Sequence, residues 1–302
     1  MADQIKNIVK SARPTHWVKN LAVFAALVFS GGIFDSELFR STFWAFIVFS
    51  LATSACYLFN DLMDRKNDKL HPIKKNRPIA AGKFKVIDAL FLAVVFAAFS
   101  VLLASFLSFF FLAGILIYII LQVAYTLFLK YIPVIDILVI ATGFVIRVWA
   151  GAFVINAHLS VWFLLCVISG SLFLAAGKRK AEIAIVEKFG DKSRATYEPG
   201  VLNSYLAMFG TASWVSWALF TFFYSSEITL LSFTSDLPLT IAGIGKWLML
   251  TIPVVIFGIM RYLYISHTTT LAQSPERTLI RDKYLLGAFL VWGSLILLTL
   301  YS

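Results

Sequence analysis

Residues 42–68 read TFWAFIVFSLATSACYLFNDLMDRKND, an apolar run that ends abruptly in Asn60, Asp61, Asp64, Arg65, Lys66, Asn67 and Asp68. A transmembrane α-helix needs about 20 predominantly apolar residues, so residues 42–60 read as a membrane span and the acids as its polar exit. Working outward with the same criterion gives nine spans. They lie near residues 18–34, 42–60, 87–104, 108–129, 133–154, 159–177, 205–225, 238–265 and 284–301, the third and fourth separated only by Ser105 to Ser108. The fold class is therefore all-α and polytopic. Composition agrees: 60% of the 302 residues are hydrophobic and 14% charged, with a mean hydropathy of +0.85. A soluble domain of this length needs more polar surface than that. Cys56 and Cys166 sit inside apolar runs, and no Cys/His spacing suggests zinc or a disulfide framework.

A formal charge of +10 could point to nucleic acid, but the charges alternate with the spans. Lys6, Lys10, Arg13 and Lys19 precede or open the first span. Arg65, Lys66, Lys69, Lys74, Lys75, Arg77, Lys83 and Lys85 follow the second, Lys130 the fourth, and Lys178, Arg179, Lys180, Lys188, Lys192 and Arg194 the sixth. Arg261, Arg277, Arg281 and Lys283 border the connection after the eighth, whereas Arg40 and Lys246 lie on the opposite side. The positive-inside rule then puts the N-terminus and the even-numbered connections in the cytoplasm and the C-terminus outside. Residues 1–17 are too short in apolar content for a cleavable signal peptide and read as an interfacial segment anchored by Trp17. The rest reads as a single integral-membrane domain over residues 1–302, with long cytoplasmic loops at about 61–86 and 178–204. Long polar loops in a compact membrane protein usually carry function.

If the helix continues past the second span, Asp61, Asp64 and Asp68 fall at i, i+3 and i+7 on one face. Like charges so placed repel unless a partner offsets them. A divalent cation is such a partner, and Mg²⁺ favours oxygen ligands that join a few carboxylates to substrate phosphates. The acids with Asn60 are thus a candidate Mg²⁺ site; the plainer alternative is a solvated helix end paired with Arg65 and Lys66. Downstream, His71-Pro72-Ile73-Lys74-Lys75-Asn76-Arg77-Pro78-Ile79-Ala80-Ala81-Gly82 reads as a fixed loop that returns Arg77 toward the acids. Arg grips phosphate in a fork; topology by itself accounts for Lys74, Lys75, Lys83 and Lys85. His71 reads as a loop hydrogen-bond partner. Tyr118, Gln122 and Tyr125 recur at helical spacing ahead of Lys130, as a chamber mouth or an aromatic belt would. Arg147 falls mid-helix in the fifth span and Asp136 near its start. Charges inside a membrane usually face the bundle interior and often serve function, so Arg147 is expected to pair with an acid or to hold a lipid phosphate.

Asn60-Asp61-x-x-Asp64-x-x-x-Asp68 followed by Arg77-Pro78-Ile79-Ala80-x-Gly82 resembles the UbiA-type intramembrane prenyltransferase superfamily, over essentially the whole chain. That resemblance implies nine helices around a central apolar chamber, with a diphosphate held through Mg²⁺ on aspartate motifs. The segments Arg13-Pro14-Thr15-His16-Trp17-Val18-Lys19-Asn20, Gly177-Lys178-Arg179-Lys180-Ala181-Glu182 and Glu276-Arg277-Thr278-Leu279-Ile280-Arg281-Asp282 are similar to the decaprenyl-phosphate phosphoribosyltransferase branch. Members of that branch move a 5-phosphoribosyl group from phosphoribosyl diphosphate (PRPP) to a polyprenyl phosphate.

One departure favours the branch over the parent chemistry. Ordinary members carry a second aspartate motif after the sixth span, where this chain has Lys178-Arg179-Lys180 with Glu182. A basic entry suits a directly bound phosphate; its plainer reading is a positive helix end with a surface pair. The resemblance then implies Asp61, Asp64 and Asp68, helped by Asn60, as Mg²⁺ ligands. Lys19, Arg77 and Lys130 would neutralise the diphosphate and the 5-phosphate of PRPP, and Asn20 is a further substrate-binding candidate. Lys178 and Arg179, catalytic candidates with Asp61 and Asp64, would with Glu182 hold either the lipid phosphate or the 5-phosphate of PRPP. Tyr118, Gln122, Tyr125 and Arg147 are further substrate-binding candidates. The implied partners are PRPP, a polyprenyl phosphate and the bilayer, without nucleic acid, and a homo-oligomer is compatible with this reading. The rival enzyme is a conventional prenyltransferase acting on an aromatic acceptor. A transporter of a phosphorylated solute would show Gly/Pro-broken spans in matching positions of two halves, and no convincing pair is present.

Overall fold

The computed structural model describes residues 2–71, 74–189, 197–224, 247–268 and 275–301. Pro72 and Ile73, Lys192 and Arg194, Lys246 and the first residues of the eighth expected span lie outside the described residues. Every regular element among the described residues is helical. Eight helices are long and apolar enough to cross a membrane. They are α3 (Ser36–Met63), α5 (Val86–Ser105), α6 (Phe109–Leu127), α7 (Ile135–Ile155), α8 (Val161–Phe189), α9 (Pro199–Phe223), α10 (Ile252–Thr268, entered through a 3₁₀ turn at Trp247–Thr251) and α12 (Lys283–Tyr301). Shorter helices are α1 (Ala2–Ala12), α2 (Ala25–Phe29), α4 (Arg65–Leu70) and α11 (Pro275–Arg281).

The first expected span takes an unusual form. Pro14–Phe24 is a 3₁₀ helix that runs into α2. Runs of this helix beyond 3–4 residues are uncommon. With a rise of about 2.0 Å per residue in the 3₁₀ part and 1.5 Å in the α part, the two reach roughly 30 Å, the thickness of the hydrocarbon core. Pro14 opens it after Arg13, which is held in the left-handed region at φ 53°. Its backbone lies directly on α7: a Cβ added at Gly151 would collide with the Val23 carbonyl.

Cα packing divides the chain into two compact units, one of residues 1–158 and 185–197, the other of 159–184 and 198–302. In the first, α3 packs most extensively on α5. Small residues line the helix contacts, among them Ala45, Ala52, Ala89, Ala93, Ala104 and Ala150; they let backbones approach where lipid offers no hydrophobic drive between helices. Asp35 caps α3 by accepting from the Glu37 and Leu38 amides at 2.8 and 3.1 Å. Ser108 caps α6 through the Phe111 amide at 3.0 Å, so the expected break at Ser105–Ser108 is a true helix boundary. On α5, Ile87, Phe91 and Val94 are 73%, 71% and 59% exposed. An outward apolar stripe of that kind suits lipid, and the chain is an integral membrane protein. In the second unit Phe173, Ala176, Ala181, Leu206 and Tyr262 form the buried core.

Candidate active site

α3 ends at Met63, and Asp64 (φ −81°, ψ 0°) makes a slight break before α4 continues. The Asp64 amide still bonds the Asn60 carbonyl at 2.9 Å and the Asp68 amide the Asp64 carbonyl at 2.8 Å, so the acids stay on consecutive turns. All three are buried. Each has a cation. Arg13 Nη2 donates to both oxygens of Asp61 at 2.6 and 2.8 Å. Arg77 Nη1 donates to Asp61 at 3.0 Å and to Asp68 at 2.6 Å. Lys130, itself buried, pairs with Asp64. Burial pushes the Asp68 carboxyl above the usual carboxylate range, and Arg77 pulls it part of the way back.

The loop expected to return Arg77 does so for readable reasons. Ile79 and Phe84 are buried with Leu58, Ala89 and Ala93, pinning the loop to α3 and α5. Gly82 supplies a positive φ of 73°, and the Lys83 and Phe84 amides both bond the Pro78 carbonyl. His71 accepts from the Lys74 amide at 3.3 Å, as a loop hydrogen-bond partner should. Lys130 rides on a 3₁₀ turn (Leu129–Tyr131) after α6. Next to it Val134 takes φ 70° and ψ −50°, a rare conformation for a β-branched residue. Its amide bonds the Tyr197 hydroxyl at 2.5 Å, and that hydroxyl in turn donates to buried Asp136. Thr126 donates to Asn60 at 3.3 Å, tying the helix end to α6.

Among the described residues no group of three or more His, Cys, Asp or Glu is already gathered as a metal-ligand set. The acids are instead turned to cations. The donor chemistry nonetheless fits a hard divalent ion: three carboxylates and an amide oxygen on consecutive turns, the oxygen set Mg²⁺ prefers.

A second polar group expected at a substrate mouth lies inside the helix packing. Asn20 is fully buried on the 3₁₀ helix, donating to Ser50 at 3.0 Å and accepting from Thr53 at 3.3 Å and from Arg147 Nε at 2.8 Å. Arg147 also donates to the Tyr118 hydroxyl at 2.8 Å and to the Gly143 carbonyl. Its guanidinium lies 5.2, 4.9 and 5.5 Å from the ring centres of Phe49, Tyr118 and Phe144. Neutral oxygens and ring faces, rather than an acid, therefore accommodate this charge. Gln122 lies alongside, within reach of a Cβ built on Gly143. Lys19 and Tyr125 are half-buried on the 3₁₀ helix and α6.

In the second unit Arg179 is buried and donates to Glu182 at 2.5 Å, one turn along α8. Lys178 is half-buried beside it. Gly177 is where the Tyr262 ring rests: a Cβ there would stand 2.7 Å from the ring and 2.8 Å from the hydroxyl. Glu276 of α11 lies close enough for its charge to act on that hydroxyl. Tyr262 thus packs on the first residue of the Gly177–Glu182 segment, and the charge of Glu276 acts on its hydroxyl. The Tyr262 hydroxyl and the Lys180 ammonium are buried polar atoms with no hydrogen-bond partner among the described residues. Beyond them Arg261 forks onto Asp282 at 2.6 to 3.2 Å, between the rings of Tyr264 and Tyr284; that guanidinium holds the Asp282 carboxyl below its usual range.

Sequence reasoning missed Arg13 as a partner of Asp61 and Tyr262 as a partner of the basic helix end. Arg13 stands 48 positions from Asp61 and reads as one more cytoplasmic charge. Its place at the head of the branch-like segment Arg13–Asn20, just before Pro14, was the available signal.

Comparison with known proteins identifies the family and the fold. The UbiA prenyltransferase family model matches residues 21–292. The decaprenyl-phosphate phosphoribosyltransferase of Mycolicibacterium smegmatis is 35% identical over 296 residues, spanning 95% of this chain and 90% of its own. That of Corynebacterium glutamicum is 36% identical over 302 residues, spanning 97% and 86%. A UbiA homolog from Archaeoglobus fulgidus, solved with DMAPP and Mg²⁺, shares the fold with a TM-score of 0.72 at 18% identity, over 97% of both chains. On the family match and on these near full-length relatives alike, the chain belongs to the UbiA prenyltransferase family.

Proposed function

We propose that this protein transfers the 5-phosphoribosyl group of PRPP to a polyprenyl phosphate of the decaprenyl type and releases diphosphate. The reading rests on two unlike clusters, one in each compact unit. One is a buried set of acids laced with Arg13, Arg77 and Lys130. The other is a basic helix end, Lys178–Lys180, where a second acidic motif would serve a second metal. The names of the full-length relatives support it.

Asp61, Asp64 and Asp68, with Asn60, would hold Mg²⁺. When bound, the ion supplies Lewis-acid neutralisation of the diphosphate. Arg13, Arg77, Lys130 and Lys19 bind the phosphates and offset the charge that builds on the leaving group. Arg179, oriented by Glu182, binds the lipid phosphate together with Lys178, and the Tyr262 hydroxyl and Lys180 ammonium are further donors for it. An oxygen of the lipid phosphate forms the bond to the anomeric carbon as the bond from that carbon to diphosphate breaks. The nucleophile is already an anion at neutral pH, so no general base is needed. Asn20, Tyr118 and Arg147, with Gln122 beside them, fix the first crossing against α6 and α7, and Tyr125 lines the path ahead of Lys130. The Lys/Arg distribution supports a site at the cytoplasmic face, with the polyprenyl tail among the helices or leaving sideways into lipid.

The test is to incubate the purified protein with ribose-labelled PRPP and several polyprenyl phosphates. A lipid-soluble ribosyl product is expected, lost in EDTA and in Asp61→Asn. Consumption of a prenyl diphosphate with an aromatic acceptor, with PRPP untouched, would give the site to conventional prenyl transfer.

A further inference from the structure

The acids at the end of α3 are fully matched by cations. Asp61 is covered on both oxygens by Arg13 and touched by Arg77, Arg77 reaches on to Asp68, and Lys130 holds Asp64. Three carboxylates stand against three cations, and the acids and Lys130 are all buried. A dication entering this cluster alone would meet carboxylates whose charge is already offset, and would displace the buried Lys130 and the largely covered Arg13 and Arg77 from them. A diphosphate entering alone would need cations already engaged by acids. Either step opens buried ion pairs and strands one member, the costly way to break such a pair. When both ligands enter together, every broken pair is replaced twice: carboxylate to metal, and cation to phosphate oxygen.

We propose that Arg13, Arg77 and Lys130 are exchangeable place-holders on the acids, so that metal and diphosphate bind as a unit and each binds poorly without the other. The inference rests on the metal-and-diphosphate reading of the site given above. Arg13 is the member that decides it. It alone covers both oxygens of one acid, and it comes from outside the acidic helix and its loop. Its backbone sits at φ 53° and ψ 56° in the turn between α1 and the 3₁₀ helix. A non-glycine residue stays in that region when its surroundings hold it there. The surroundings here are Asp61 and the Tyr57 ring, 4.9 Å from the guanidinium. Arg13 is therefore a positioning residue for Asp61 before ligands enter and a phosphate ligand afterwards.

The two halves of the exchange are measurable without turnover. Binding of Mn²⁺, as a spin-active substitute for Mg²⁺, is followed by electron paramagnetic resonance on the full-length protein in nanodiscs. It is measured alone and with inorganic diphosphate, correcting for the metal–diphosphate complex in solution. Diphosphate binding is measured by calorimetry in EDTA and again with Mg²⁺. Each ligand should tighten the other at least tenfold, by the same factor in both directions because linkage is reciprocal. Arg13→Gln leaves Asp61 with Arg77 alone, so it should bind Mn²⁺ alone several-fold more tightly than wild type and show a smaller effect of diphosphate. Arg13→Lys, which keeps the charge but not the fork, should fall between the two. Equal Mn²⁺ affinity with and without diphosphate would overturn the exchange while leaving the site assignment standing. Arg13→Gln binding Mn²⁺ no better than wild type would also overturn it. Failure of either ligand to bind in any combination would remove the metal-and-diphosphate reading itself.

Discussion

Lys130→Met tests how the acid cluster is held together. The Lys130 side chain is 3% exposed and that of its partner Asp64 12%. Deleting the cation leaves a carboxylate uncompensated in a buried setting, and breaking a buried pair in this way costs about 3–5 kcal/mol. Arg77→Gln should cost less, about 1–3 kcal/mol. Arg77 is 22% exposed, and Asp61 keeps Arg13 when Arg77 is gone. At about 2–4 °C per kcal/mol, Lys130→Met should lower Tm by roughly 10 °C, clearly more than Arg77→Gln. Lys130→Met with Asp64→Leu removes both charges and should recover most of the loss, since the penalty belongs to the stranded acid. Thermal unfolding in nanodiscs, without metal or diphosphate, reads all four proteins. Lys130→Met melting with wild type, or the double variant melting as early as the single, would refute the reasoning.

Gly151→Ala should displace the first crossing, because the new Cβ would meet the Val23 carbonyl; a lower Tm and faster proteolysis between residues 13 and 24 would register it. Lys178→Ala with Arg179→Ala removes charge-assisted contacts worth about 1.5–3 kcal/mol each. Each single variant should lower activity about 10- to 100-fold, with a raised KM for lipid phosphate and unchanged calorimetric affinity for PRPP. The reverse pattern would move these residues to the 5-phosphate. For topology, a cysteine replacing Lys192 should label only from the cytoplasm and a tag after Tyr301 only from outside; labelling on one side at both would remove the nine-span arrangement.

Hydropathy made most of the fold legible. Runs such as residues 87–104 and 284–301 are long enough to name themselves, and they correspond to α5 and α12. The acids and Arg77 were legible because they lie close in sequence, on two consecutive turns and the loop that follows. The first crossing was readable as apolar but not as a 3₁₀ helix, since its 11 residues carry too few turns for the 3.0 and 3.6 periods to separate. Arg13 was legible only as the opening residue of a branch-like segment; its role stayed hidden because its partner Asp61 comes from 48 residues away. Arg147 was expected to pair with an acid or to hold a lipid phosphate because buried charge in a membrane usually serves function, and Asn20 was a substrate candidate through the resemblance. They bond each other, with Ser50, Thr53 and Tyr118 completing the group from other helices, an arrangement that only the tertiary structure brings together. Tyr262 gave no signal for the same reason: its role depends on a glycine 85 positions earlier that leaves room for its ring.

The most direct measurement follows two labels through one reaction. PRPP carrying ¹⁴C in the ribose and ³²P in the terminal phosphate of its diphosphate is supplied with Mg²⁺ and decaprenyl phosphate, and the lipid and aqueous phases are separated. Attack by the lipid phosphate on the anomeric carbon sends ¹⁴C into the lipid phase and leaves all ³²P in water as inorganic diphosphate, one released for each ribosyl transferred. Transfer of ³²P into the lipid would mean attack at phosphorus. Retention of both labels in water while a prenyl diphosphate is consumed would mean that PRPP is not the donor. Either result would contradict phosphoribosyl transfer at these acids.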